Sequence, residues 1–432
     1  MSARELRAYI NERPVGVLRE VGDVWAFAYD PSWVSDTNGY ALSPALPRQE
    51  APRVDGASDR PVQWYFDNLL PEEGLRTVYA REAKLLAEDA FGLLEYFGAE
   101  SAGSLTLLPP GASPTAARGR RELTNAALSS RIRDLPRVPL IHDAPKRMSV
   151  AGAQHKLLVE FDGERLYEPL PGNVSTHLLK PNHPEETYTS SVINEYFVMR
   201  LAHAVGLSVP AVFRRYVPEP VYLVERFDRV RGGDTVRRLH VIDSCQILNR
   251  ARSFKYTAAT LVSLAAIADA CRSRAAARLA LYRWLVFNLL VGNADNHLKN
   301  ISAVVSRDGI DLAPAYDLVS TAVYATRAYS EQPAWPQVEL ALPLPGAARF
   351  GTVAREHLRA TATELGVPAA VAEREVGRLL ESVPRAARIL ISNIESDNAA
   401  LLDAARVAFA GELRLLRAIE SVVITDMVAR LH

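Results

Sequence analysis

Cysteine is almost missing from this chain: Cys245 and Cys271 are the only two in 432 residues. Two cysteines build neither a disulfide framework nor a cysteine-based zinc site. Both lie in apolar, helix-like surroundings and are expected to be buried free thiols, which fits a reducing cytoplasm. Net charge is missing too. Fifty Lys and Arg residues balance fifty Asp and Glu, which argues against a chain built mainly to coat nucleic acid. No apolar run approaches the roughly 18 residues of a membrane span; the longest candidate is Leu285–Gly292. The charged start, Met1–Arg7, leads into no apolar segment of the signal-peptide kind, so the protein is expected to work in the cytoplasm where it is made. H-E-x-x-H, C-x-x-C, G-x-S-x-G and the Walker pattern G-x-x-x-x-G-K-[ST] are all missing. Zincin, thioredoxin-like, nucleophile-elbow and P-loop chemistries are therefore poor fits.

What is present is ordinary globular material, 48% hydrophobic and 23% charged. It is enough for a sizeable core. At roughly 100–200 residues per domain, two or three units are expected. Residues 1–110 read as a small α/β unit. Val15–Arg19 and Val24–Tyr29 alternate like strands around the turn Val21–Asp23. Trp64–Leu70 and Gly74–Ala87 read as helices, and Ser104–Leu108 as a returning strand. Residues 111–146 form a linker and helix, opened by the breaker-rich Pro109–Pro114.

Residues 147–228 are strand-rich, with Lys156–Phe161, Leu166–Glu168, Thr176–Lys180, Ala211–Tyr216 and Val221–Phe227 around one helix, Ser190–Val205. Residues 229–432 are mainly helical. The expected helices there are Leu261–Cys271, Arg274–Val291, Thr352–Leu365, Pro368–Leu380 and Ala399–Leu431. A lone hairpin, Ile301–Val305 and Ile310–Ala313, turns at Asp308 and Gly309. The expected class is α+β, in the bilobal layout of protein-kinase-like phosphotransferases. That layout is an analogy until a site supports it.

The sharpest polar stretch is Gly292–Asn300, at the exit of an apolar helix. Phosphoryl transfer needs a carboxylate to orient or deprotonate the attacking hydroxyl, and an amide oxygen nearby to hold magnesium. Asp295 and Asn300 stand five residues apart, the interval found in the kinase catalytic loop. A plain capped helix end is the alternative. The hairpin is followed by Asp317, where kinases carry their metal-binding aspartate. Lys180 ends an apolar strand and Glu195 lies on the next helix, the order of the kinase phosphate lysine and its acidic partner. Ser149–Lys156, reading S-V-A-G-A-Q-H-K, is a small-residue loop whose amides could cradle phosphates. Glu225–Asp228 closes the strand-rich segment, where an adenine hinge belongs. Of nine histidines, His297 is the best placed, and no histidine cluster suggests zinc.

Together these segments resemble the HipA family, the serine/threonine kinase toxins of bacterial type II toxin–antitoxin systems. The likeness runs through Ser149–Lys156, His177–Pro181, Glu225–Asp228, Gly292–Asn300 and Tyr316–Leu318 in order. It extends to Val15–Leu18, Phe27–Tyr29, Leu42–Ser43, Asn68–Pro71 and Gly103–Leu105 in the N-terminal unit. The chain departs from the family at His155, where Glu is common, and at Asn249, where Gly is frequent.

The resemblance implies that Asp295 is the catalytic base and that Lys180 contacts the ATP phosphates, oriented by Glu195. Asn300 and Asp317 would hold Mg²⁺. Ala151, Gly152, Ala153, Gln154, His155 and Lys156 would cover the phosphates. Glu225, Arg226 and Phe227 would surround adenine, with His297 and Tyr316 also in the ATP site. Ser149 would match the inhibitory autophosphorylation serine. An aminoacyl-tRNA synthetase would be the protein substrate. A small helix-turn-helix antitoxin of the HipB kind would hold the chain on operator DNA. A catalytically weak antitoxin-binding module and a small-molecule kinase are the competing readings.

Overall fold

Alternation at every second residue builds the N-terminal strands. In Arg4–Ile10 the side chains of Leu6, Ala8 and Ile10 are buried, and in Val24–Tyr29 those of Trp25, Phe27 and Tyr29. This computed structural model describes residues 3–114, 119–146, 148, 151–152, 154–232, 235–399, 401 and 406–432. The chain divides into two compact units. The first comprises residues 1–179, 225–255 and 302–313; the second comprises 180–224, 256–301 and 314–432. The mixed helix-and-sheet class expected from the sequence is what is found.

The first unit opens on an antiparallel sheet in the order Arg53–Val54, Val24–Tyr29, Arg13–Val21, Arg4–Ile10 and Leu105–Leu108. Helices Pro61–Asp67, Glu73–Ala83 and Ala90–Phe97 supply the apolar side chains that this sheet buries. The Trp25 and Phe91 rings meet edge to face at 5.3 Å, and Phe27 and Phe66 lie 5.5 Å apart. The helix expected to reach Ala87 ends at Ala83, because Lys84 takes a left-handed conformation and its N–H caps the carbonyls of Ala80 and Arg81.

A second sheet in this unit pairs Leu157–Phe161 with Leu166–Pro169 on one side and with the strand beginning at His177 on the other. The expected hairpin is present as Ser302–Ser306 and Gly309–Leu312, and it gains a third strand, His240–Asp243, that the sequence did not disclose.

The second unit is built around helix Arg274–Val291. From Leu281 onward nearly every side chain is buried, the mark of a helix surrounded by others. Gly292 ends it at φ +66°, and a Cβ there would stand 2.5 Å from the Val423 side chain. Glycine is thus required twice over, by backbone conformation and by space.

Helix Ala369–Ala399 was expected to stop at Leu380. It continues through Pro384, with Val383, Ala387, Leu390, Ile391 and Ile394 still buried. The expected helix Ala399–Leu431 is described from Arg406 and carries a π-helical turn, Ile419–Ile424, before Thr425–Leu431.

Candidate active site

The last residues of strand His177–Pro181 bring Lys180 into the second unit. Its ammonium donates to both oxygens of Glu195, at 2.8 and 3.0 Å, and to Asp317 Oδ1 at 2.5 Å. Burial by itself would push the lysine toward neutrality. Asp317 and Glu195 outweigh it, so its pKa is raised and it stays charged. Lys180 and Glu195 are buried, but the Asp317 side chain is 40% exposed. Lys180 therefore binds two carboxylates at once, and one of them, Asp317, is part-exposed.

Asp317 is held from its own backbone. It sits at φ +58°, a left-handed conformation that Asp tolerates better than most residues. Three residues on, the Ser320 N–H donates to Asn194 Oδ1 at 2.9 Å, and Asn194 Nδ2 donates back to the Ser320 carbonyl at 3.0 Å. Asn194 and Glu195 are neighbours on helix Ser191–Ala204. One helix thus grips the strap after Asp317 and also holds the lysine that meets it. Tyr222 completes the floor, its ring centroid 5.9 Å from Lys180 Nζ. Neither Asn194 nor Tyr222 was singled out in the sequence. A polar residue inside an otherwise buried helix was the available signal for Asn194.

The Gly292–Asn300 turn is pinned at each step. The Ala294 N–H donates to Thr321 Oγ1 at 2.6 Å and the Asp295 N–H to Asn293 Oδ1 at 3.0 Å. Asn300 Nδ2 donates to the Asp295 carbonyl at 2.8 Å. The Asp295 side chain accepts from the Tyr256 hydroxyl at 2.5 Å. Tyr256 packs edge-on against His297, which is itself buried. The Tyr316 hydroxyl donates to the Lys299 carbonyl at 2.7 Å. Lys180, Glu195, Asp295, His297, Asn300, Tyr316 and Asp317 therefore all belong to one unit.

The other expected residues belong to the first unit. Gly152 sits at φ +111°, where a Cβ would stand 2.5 Å from Lys156 Nζ. That ammonium closes the loop by donating to the Ala151 carbonyl at 2.6 Å. Gly152 also forms a parallel bridge with Pro71, and its carbonyl accepts from the Glu72 N–H at 3.2 Å. Gln154 is half-buried and His155 buried. Ser149 and Ala153 lie outside the described residues.

In the hinge segment Glu225 is exposed and Phe227 half-buried. Arg226 is turned inward: its N–H donates to the Thr176 carbonyl, and its guanidinium to Asp228, Ser175 and Glu100. These bonds anchor the segment to the unit's interior. Glu100 is fully buried among Lys146, Arg226 and Arg229, at 2.8, 3.3 and 2.9 Å.

A strand lysine paired to a helix glutamate, a part-exposed aspartate and a pinned polar turn are the parts that a protein-kinase-like site requires. Two family models match the chain: the HipA N-terminal domain over residues 6–108 and the HipA-like C-terminal domain over residues 148–387. The chain belongs to the HipA family.

It is 34% identical to the candidate kinase Y4mE of Sinorhizobium fredii, over 96% of this chain and 99% of that one. It is 32% identical to the serine/threonine-protein kinase toxin HipA of Shewanella oneidensis, over 74% of this chain and 76% of that one. A solved Shewanella oneidensis complex of HipA, HipB and its operator DNA matches with a TM-score of 0.76 at 27% identity. That match covers 98% of this chain and 99% of the other. Among the described residues, no helix is long and apolar enough to cross a membrane.

Proposed function

We propose that this chain is a serine/threonine protein kinase toxin that uses Mg²⁺-ATP. The observation that carries the reading is the Lys180–Glu195–Asp317 set, in which one lysine binds two carboxylates and Asp317 is part-exposed. Asp295 accepts the proton of a protein hydroxyl as that oxygen bonds to the γ-phosphorus and the bond to the β-phosphate oxygen breaks, releasing ADP. Lys180 binds the ATP phosphates and Glu195 keeps it in place. Asn300 and Asp317 supply the hard oxygens that magnesium takes alongside water and substrate phosphates. When bound, the metal neutralises charge building on the phosphates. Family resemblance supports phosphate-binding roles for Ser149 to Lys156, adenine-flanking roles for Glu225 and Phe227, and nucleotide contacts for His297 and Tyr316.

Family resemblance supports an aminoacyl-tRNA synthetase as the protein substrate, so that phosphorylation slows translation and promotes dormancy in the cytoplasm. The solved relative is bound to HipB and operator DNA, which supports a helix-turn-helix antitoxin and an operator as partners here. Ser149 is the proposed autophosphorylation site, where the roughly −1.5 to −2 charge of a phosphoserine would repel ATP.

The test is Asp295→Asn, with phosphate transfer from labelled ATP to a panel of bacterial aminoacyl-tRNA synthetases as readout. A general base contributes about 10²–10⁴-fold, so turnover should fall by that factor with the fold intact. Near-wild-type turnover would remove Asp295 from the mechanism. Mass spectrometry of the same proteins should find phosphate on Ser149 in the wild type and none in the Asn variant.

A further inference from the structure

We infer that Tyr256 is the positioning residue that aims the Asp295 carboxylate at its acceptor hydroxyl. The inference rests on the reading of Asp295 as the base. It starts from what holds that residue. The Asp295 backbone is fixed on both sides, its N–H by Asn293 Oδ1 and its carbonyl by Asn300 Nδ2. Those bonds place the Cα but do not choose the plane of the carboxylate, whose terminal torsion is broad. Tyr256 acts on that plane. Its hydroxyl donates to Asp295 Oδ1 at 2.5 Å, which sets the direction in which Oδ2 is turned.

The tyrosine is itself oriented. Its ring meets His297 edge to face, with centroids 4.9 Å apart at 81°. His297 lies two residues beyond Asp295 in the same turn. Tyr256 thus touches the turn twice, by its ring and by its hydroxyl. The residue is 43% exposed, too open for its main work to be filling a core. A hydroxyl bonded to a carboxylate at a solvent-open site has a directional role, because bonds to charged groups are the strong and short ones. A base has to stand within about 2.6–3.2 Å of the proton it takes, so a bond that turns the carboxylate acts directly on that distance.

The experiment uses the full chain with Tyr256→Phe, which keeps the ring on His297 and removes only the hydroxyl. ATP hydrolysis, with water as acceptor, is measured beside transfer to the synthetase panel. The expected result is a fall in kcat of about tenfold with the KM for ATP unchanged, since the hydroxyl acts on the base and leaves nucleotide binding alone. In an Asp295→Asn background the same change should cost less than about twofold, because residues acting as a unit are not additive. Tyr256→Gln, which offers an amide donor in place of the hydroxyl, should recover part of the loss.

An unchanged kcat in the Phe variant overturns the proposal. A raised kcat overturns it too, and would mean that the tyrosine hydroxyl blocks the acceptor's place. Equal losses in the two backgrounds would mark a structural role only. A crystal structure of the Phe variant gives a readout independent of turnover: the Asp295 carboxylate should lose its single orientation, and a carboxylate unmoved there also sinks the idea. Failure of the Asp295 reading looks different, because Asp295→Asn alone would then retain full turnover, and failure of the kinase reading would show as no transfer in the wild type.

Discussion

Each unit of this chain buries a cluster of charges, and the two clusters are built in opposite senses. In the first unit Glu100 and Asp228 face Lys146, Arg226 and Arg229, all buried. In the second, Lys180 faces Glu195 and Asp317. The first is sealed: Glu100 is 0% exposed and takes further bonds from the Ser175 hydroxyl and N–H. The second leaves Asp317 open. Buried ion pairs alone are a poor guide to function, since structural networks perturb charges as strongly as catalytic ones. The useful difference is a way out to solvent. By that criterion the part-exposed Lys180 set is the one proposed for a site, and the sealed Glu100 set is read as structural.

The comparison breaks most visibly at Glu100. Cations packed around it hold its carboxyl well below the usual range, although burial acts the other way and is the largest single influence. Glu100→Ala would leave Lys146, Arg226 and Arg229 without their shared partner. Removing one member of a buried pair costs about 3–5 kcal/mol. Chemical denaturation should show a loss of that size, while turnover per folded molecule stays within about twofold. A stable variant with poor turnover would turn the assignment of the two clusters around.

Asp317→Asn sharpens the other side. Asn keeps the shape and tolerates the left-handed backbone at φ +58°, so the change removes charge and little else. Lys180 retains Glu195, and stability should move by less than about 1 kcal/mol. Turnover should drop by about 10²-fold or more, as when a group aimed at developing transition-state charge is lost. Titrating ATP hydrolysis with Mg²⁺ should show a weakened metal requirement. A variant with the wild-type magnesium dependence would show Asp317 to be a turn residue only.

What could be read beforehand divides along the same line. Lys180, Glu195, Asp295, Asn300 and Asp317 were legible because kinase chemistry fixes their order and spacing along the chain, and local signals such as Gly292 placed them at element ends. The Glu100 cluster was not legible. Its partners lie 46, 126 and 129 residues away, and no local pattern announces such a contact. Tyr256, 39 residues from Asp295, was missed for the same reason. Strand Arg4–Ile10 carries the alternation of its neighbours at Leu6, Ala8 and Ile10, but its place between Arg13–Val21 and Leu105–Leu108 follows only from the pairing. Helix Ala369–Ala399 ran past its expected end because burial of its apolar face outweighs the breaker at Pro384.

The smallest expected effect tests whether the first unit is closed to protons as well as to solvent. His240 is buried there, with Nε2 donating to the Leu42 carbonyl at 2.8 Å and Nδ1 facing the Ser104 hydroxyl at 3.0 Å. Burial lowers its pKa from 6.5 to about 4. His177, also buried, is lowered to about 4 for the same reason. In the unfolded chain both would titrate near 6.5. A depressed folded pKa gives stability that is full above the unfolded value and falls as pH drops toward the folded one. The window is therefore pH 6.5 down to 4. Between pH 7 and 5.5 each histidine should cost about 1 kcal/mol by that linkage. His142 works in the opposite direction through Glu82, but it is largely exposed and its part is screened. Denaturation midpoints at pH 7 and 5.5 should therefore separate in the wild type. The separation should shrink by about 1 kcal/mol in His240→Gln, which keeps a donor for Leu42 and cannot take up a proton in this range. An unchanged separation would mean that protons reach His240 in the folded state, and that the sealed character of the first unit ends short of it.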